Sequence, residues 1–195
     1  VEVCPNCVKL EETEKVVDRK QVLSELGIPS EKAVFVYGGN LGRPQGVNFL
    51  MEVLEANERR ENSYFVIVGS GTEYLRLKRC FLDHDFQNSK LLSTLPKEQY
   101  DNLVRVCDVG LIFLDRRFTI PNYPSRLLSY LENRVPVLLA TDRNTDIGRI
   151  AVENSYGYWV ESGDLEGFVR AIERLGGDAG LREEMGRRGY QFLKE

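Results

Sequence analysis

Apolar residues in this chain follow two rhythms. Short unbroken runs, several closing on glycine, predict buried strands over residues 33–39 (AVFVYGG), 64–71 (YFVIVGSG), 90–95 (KLLSTL), 108–114 (DVGLIFL), 135–140 (VPVLLA) and 156–161 (YGYWVE). Between them apolar positions recur at helical spacing, as Val47, Leu50, Met51 and Leu54 do. That spacing predicts helices over residues 16–27, 46–60, 73–84, 96–107, 125–133, 144–155, 164–177 and 178–195. The punctuation agrees: Gly27 and Pro29 close the first helix, Pro96 opens the fourth, and Thr72 and Asp164 stand where caps are wanted.

Strands and helices alternate with short connections, and no repeat or low-complexity tract interrupts them. The expected fold class is α/β: a Rossmann-like, doubly wound parallel sheet with helices on both faces. Residues 1–30 are the least regular and read as a lead-in segment with a first helix; residues 31–195 read as one domain.

Composition narrows the function. Of 195 residues, 42% are apolar and 29% charged, an ordinary globular balance, and the net charge of −4 argues against a general nucleic-acid binder. No apolar run has the length of a membrane span. The chain begins at Val1, as an excised domain would. Cys4 and Cys7 form a C-x-x-C, but no second close pair accompanies them and His84 is the one histidine. Unpaired thiols are therefore expected, with no metal site, and His84, between Asp83 and Asp85, reads as solvated surface.

In an open parallel sheet a ligand binds beyond the carboxyl ends of the strands, which directs attention to four loops. GGNLGRPQG (38–46) lets backbone approach a ligand at Gly39 and Asn40 and supplies a cation at Arg43; it lacks the Gly-Lys-Ser/Thr of a P-loop. The second loop carries Gly69 and Gly71 without the third glycine of a dinucleotide fingerprint. The third spans residues 93–97. The fourth, 115–126, runs into a helix through Pro124, Ser125 and Arg126, where free amides and a planar guanidinium suit phosphate oxygens; Ser125 serves equally as a plain helix cap.

Taken in order, these segments resemble the C-terminal, nucleotide-sugar-binding domain of retaining glycosyltransferases with the GT-B fold, of the large family-four group. The resemblance covers residues 5–195 and rests on PNC, VFVYGGNLGRPQG, YFVIVGSG, LLSTLPKEQYDNLVRVCDVGLIFL and PSRLLSYLENRVPVLLA. It implies a donor site in which residues 124–127, in particular the amides of Arg126 and Leu127, meet the diphosphate. It sets the nucleobase against Thr94, Leu95 and Pro96, and puts Ser129 where the family's ribose-binding glutamate is usual and Pro121 where its first glutamate is usual. The E-x7-E pair is thus absent, replaced by the Pro-Ser-Arg segment of exopolysaccharide-type members. The family's first-loop Arg and Lys fall near Asn40 and Gln45, with Arg43 between them. Arg126 and Arg43 are the implied stabilisers of the diphosphate leaving group.

The resemblance further implies a nucleoside-diphosphate sugar as substrate, no cofactor and no metal. It implies a separate N-terminal acceptor domain, acceptors that include lipid-linked glycans, and a cytoplasmic place in cell-envelope, capsular or exopolysaccharide synthesis, peripheral membrane attachment left open. Such a fragment binds nucleotide and transfers nothing alone. A sugar-nucleotide epimerase of the same fold and a non-catalytic nucleotide-binding or scaffolding module stay open as alternatives.

Overall fold

The computed structural model describes residues 17–117 and 123–195. Six strands, β1 (Ala33–Asn40), β2 (Ser63–Ser70), β3 (Ser89–Leu92), β4 (Val109–Phe113), β5 (Val137–Thr141) and β6 (Gly157–Glu161), form one sheet in the order β3-β2-β1-β4-β5-β6. Every pairing is parallel. The helices are α1 (Arg19–Glu25), α2 (Val47–Asn57), α3 (Tyr74–His84), α4 (Lys97–Val106), α5 (Arg126–Glu132), α6 (Ile147–Glu153), α7 (Leu165–Gly177) and α8 (Ala179–Lys194). The strand order reverses between β1 and β4, and that is where the carboxyl ends of a doubly wound sheet leave a crevice.

The unbroken apolar strands are explained by cover on both faces. Phe35 and Tyr37 of β1 point into one layer with Phe65, Ile67, Leu111 and Phe113, packed by α2 and α7. Val34 and Val36 point into the other, with Val66, Val68, Ile112 and Leu139, packed by α1, α4, α5 and α6. Phe35 and Phe65 sit opposite one another in the β1–β2 register and stack with centroids 5.0 Å apart. At the amino ends of the strands, Asp108 accepts the Val34 amide and pairs with Arg19 of α1 and Arg182 of α8.

Several boundaries differ from expectation for local reasons. β3 stops at Leu92, where its pairing with β2 ends at Val68, so residues 93–95 become loop. β5 starts at Val137 because Pro136 has no amide to give; its carbonyl accepts from Gly110 instead. Thr72 does not cap α3, whose start is held by Glu73 N–H on the Leu41 carbonyl and Tyr74 N–H on that of Gly71. Asp164 caps α7 through the Gly167 amide, as the sequence suggested. Asp18 caps α1 through the Lys20 and Gln21 amides, so the helix begins at Arg19. The described part of residues 1–30 packs on the sheet, with Leu23 and Ile28 buried. Cys4, Cys7 and Pro121 lie outside the described residues.

Among the glycines, close approach dominates. A Cβ on Gly69 would stand 1.9 Å from the Gly39 carbonyl oxygen of the neighbouring strand, which cannot yield without breaking the β1–β2 pairing. Around Gly177, the last residue of α7, nothing lies within 4 Å. Gly69→Ala should therefore lose about 2–3 kcal/mol in urea unfolding, whereas Gly177→Ala should be neutral or gain up to about 1 kcal/mol. Equal effects would mean that the backbone contact at Gly69 is not limiting.

Candidate functional site

The carboxyl ends of β1 and β2, the loop after β3, and the faces of α4 and α5 enclose a cleft of about 650 Å³. That is a volume typical of sites for small organic ligands. Its lining includes Gly39, Asn40, Gly69, Thr94, Leu95, Ser125, Arg126 and Ser129. Loops from three different strands thus converge on one space.

Arg126 is the centre of the arrangement. It is the first residue of α5, and its guanidinium reaches across to the end of β1, where its carbon lies 4.4 Å from the centroid of the Tyr37 ring. Two devices hold it there. One turn along α5, the buried Tyr130 hydroxyl donates to the Val36 carbonyl at 2.8 Å, and its ring fills the space left by Gly110. On β1, Gly39 has φ +125°, and a Cβ there would come within 3.1 Å of Arg126 Nη2. A side chain at position 39 would be strained in its backbone and would crowd the guanidinium as well.

The charge of Arg126 is uncompensated among the described residues. Its Nη1 is buried without a hydrogen-bond partner, and no carboxylate pairs with it or lines the cleft. The nearby tyrosines do not supply negative charge. Burial raises the Tyr37 and Tyr100 hydroxyls above the usual phenol range, with the guanidinium pulling only partly back. Both remain neutral, and Tyr37 donates to the Asn40 carbonyl at 2.7 Å. The other cation of the lining, Lys97, pairs with Asp101 at 2.5 Å. A buried guanidinium without a counter-ion is costly unless an anion completes it. Ser125 and Ser129, one helical turn apart, present hydroxyls on the same side of α5. Ser125 makes no side-chain cap to the helix, which leaves its hydroxyl available to a ligand.

Other predicted site residues have different places. Arg43 does not join Arg126: it sits in a 3-10 turn with its side chain 90% exposed, 3.8 Å from Glu73. Gly71 packs on the Leu41 carbonyl and Pro124 lies outside the lining. The Leu127 amide already donates to the Pro124 carbonyl at 3.0 Å, and its side chain is in the core. Val68 and Tyr100, outside the four loops, also line the cleft, as do Gly38, Ser70 and Lys97 within them. For Tyr100 the available signal is its helical spacing from Lys97, the last residue of the third loop. Tyr100 fills the gap beside Gly38, where a Cβ would fall 1.9 Å from its hydroxyl oxygen.

Comparison with known proteins bears on this geometry. The family described as glycosyl transferases group 1 matches residues 18–192. The probable glycosyltransferase WbjE of Pseudomonas aeruginosa is 24% identical over 144 residues, covering 74% of this chain and 36% of that protein. The putative colanic acid biosynthesis glycosyl transferase WcaI of Escherichia coli K12 is 25% identical over 130 residues, covering 65% and 31%. The chain thus spans about a third of the length of these relatives. Among solved structures, the C-terminal domain of the glycosyl transferase group 1 protein LpcC of Francisella tularensis superposes with a TM-score of 0.70 at 14% identity, covering 92% of each chain. HepE of Anabaena, solved in complex with UDP-glucose, superposes with a TM-score of 0.73 at 14% identity over 91% of this chain and 48% of that one. These establish the doubly wound fold as that of GT-B glycosyltransferase domains. No helix among the described residues is long and apolar enough to cross a membrane.

An uncompensated charge is a stability liability in the free protein. Arg126→Met, which keeps an unbranched apolar stem and removes the charge, is expected to leave the unliganded fold within about 1 kcal/mol of the parent or to stabilise it. Urea unfolding checks this. A loss of several kcal/mol would mean that the guanidinium is already compensated.

Proposed function

We propose, for a chain that belongs to the glycosyl transferases group 1 family, that the cleft holds the nucleoside-diphosphate part of a sugar nucleotide and that Arg126 receives the diphosphate. The observation that carries this reading is the buried Nη1 of Arg126, which has no hydrogen-bond partner among the described residues, in a cleft whose described lining has no carboxylate. An arginine fork matches phosphate oxygens, and its charge acts with little screening there. The Ser125 and Ser129 hydroxyls are placed to add hydrogen bonds, and Thr94 and Leu95 form the wall for the nucleoside. The UDP-glucose of the HepE complex supports the ligand class.

In the whole protein the reaction is transfer of the sugar to an acceptor in polysaccharide synthesis, a role that the relatives' descriptions support. When the bond between the sugar carbon and the diphosphate oxygen breaks, negative charge grows on the leaving group. Arg126 is positioned to stabilise it, the electrostatic contribution expected to weigh most in such a step. Arg43, on the surface beside Glu73, takes no part in this step. No metal is required, since the cation is supplied by the chain. The acceptor side is assigned to the parts of the relatives that this chain does not span, so residues 1–195 alone are expected to bind nucleotide without transfer.

Calorimetry separates the contributions. UDP should bind more tightly than uridine, and Arg126→Met should weaken UDP by roughly 10- to 100-fold while changing uridine little. Equal losses for both would remove Arg126 from the phosphates. A folded chain that binds neither UDP, GDP nor ADP would sink the donor-site reading and leave a non-catalytic module.

A further inference from the structure

Away from the cleft, three donor side chains converge that the sequence reading left apart. Cys80 and His84 lie one turn apart on α3, and Glu55 of α2 faces them, with donor atoms within 4.8 Å of one another. Cys80 is buried, whereas Glu55 and His84 are about half exposed. His84 is not the freely solvated residue that its acidic neighbours suggested: its ring stacks on Phe86 with centroids 5.4 Å apart and an interplanar angle of 8°.

The two ring nitrogens of His84 have different surroundings. Nδ1 lies 3.0 Å from the Cys80 carbonyl oxygen. A carbonyl only accepts, so in the neutral ring Nδ1 carries the proton and Nε2 keeps its lone pair. Nε2 lies 3.6 Å from Glu55 Oε1, beyond hydrogen-bond reach. Two electron-pair donors thus approach each other, an arrangement that a shared cation would stabilise. Cys80 Sγ is the third donor, one of the three ligand atoms that lie within 4.8 Å of one another. An imidazole whose other N–H is held by a backbone carbonyl is the arrangement commonly found for metal-bound histidine.

We propose that Glu55, Cys80 and His84 form a three-ligand site for a zinc-class divalent cation that ties the C-terminal turn of α3 to α2. One oxygen, one sulfur and one nitrogen donor suit zinc or cobalt, with water completing a tetrahedron. On binding, the Cys80 thiol proton leaves to solvent and the sulfur bonds the metal as thiolate. The site lies at the end of α3 remote from the cleft, so its effect is on the stability of this layer and independent of the donor-site reading.

Cobalt(II) titration tests this in a Cys4→Ser/Cys7→Ser background, which removes the C-x-x-C as a competing ligand. One equivalent should produce a thiolate-to-cobalt charge-transfer band with visible bands of tetrahedral cobalt, and zinc should raise the melting temperature. Both effects should vanish in Cys80→Ser and in His84→Ala, and weaken in Glu55→Gln. His84 and Glu55 are half exposed, so their variants carry the test even where Cys80→Ser fails to fold. No thiolate band, a band that survives His84→Ala, or one lost in Cys107→Ser would overturn the proposal. Stability that depends on His84 and Glu55 with no cobalt band would instead identify a plain histidine–glutamate ion pair, and would equally overturn it.

Discussion

A guanidinium lying on an aromatic ring, with one nitrogen buried and unpaired, is the constraint around which the upper end of this domain is built. Arg126 cannot give up its proton and cannot reach bulk water with Nη1. The fold keeps it in place through groups that have no charge to offer: the Tyr37 face, the Tyr130 anchor on β1, and the bare backbone of Gly39. Each positions the cation and none neutralises it. Among the described residues no carboxylate completes it, which is the ground for the anion site proposed above.

The rest of the domain makes that position reproducible. The strand-order reversal between β1 and β4 opens the crevice, and α5, the next helix after β4, places its first residue there. The Gly39–Gly69 approach lets β1 and β2 stay paired to the rim, so two loops reach the cleft at one level. The first loop is then tied on both sides: the Leu41 amide donates to the Ser70 carbonyl, and the Asp115 amide to that of Pro44. A site assembled from rigid strand ends needs little ordering on ligand arrival, which limits the entropic cost of binding.

Much of this was legible in the chain. The six strands followed from unbroken apolar runs because both faces of the sheet are covered, and Ser125 and Arg126 of the Pro-Ser-Arg segment line the cleft. Tertiary facts were not legible. Nothing local distinguishes Arg43, which the chain turns out to solvent, from Arg126, which it turns inward. Helix starts usually leave their first amides unpaired, but a turn to the Pro124 carbonyl uses that of Leu127. Tyr37 read as one more apolar strand residue, although its ring carries the cation. Glu55, Cys80 and His84 come together only once α2 and α3 pack.

The most direct test of the central claim observes the Arg126 guanidinium itself. In nitrogen-15 NMR spectra of arginine side chains, assigned by comparison with Arg126→Met, adding UDP should shift the Arg126 guanidinium signals and slow the rotation of its amino groups, as oxygens of the diphosphate engage them. Uridine should leave them where they are. If UDP binds and moves backbone amides around the cleft while the Arg126 guanidinium signals stay unchanged, the uncompensated charge is not what the ligand completes, and the account given for this site is wrong.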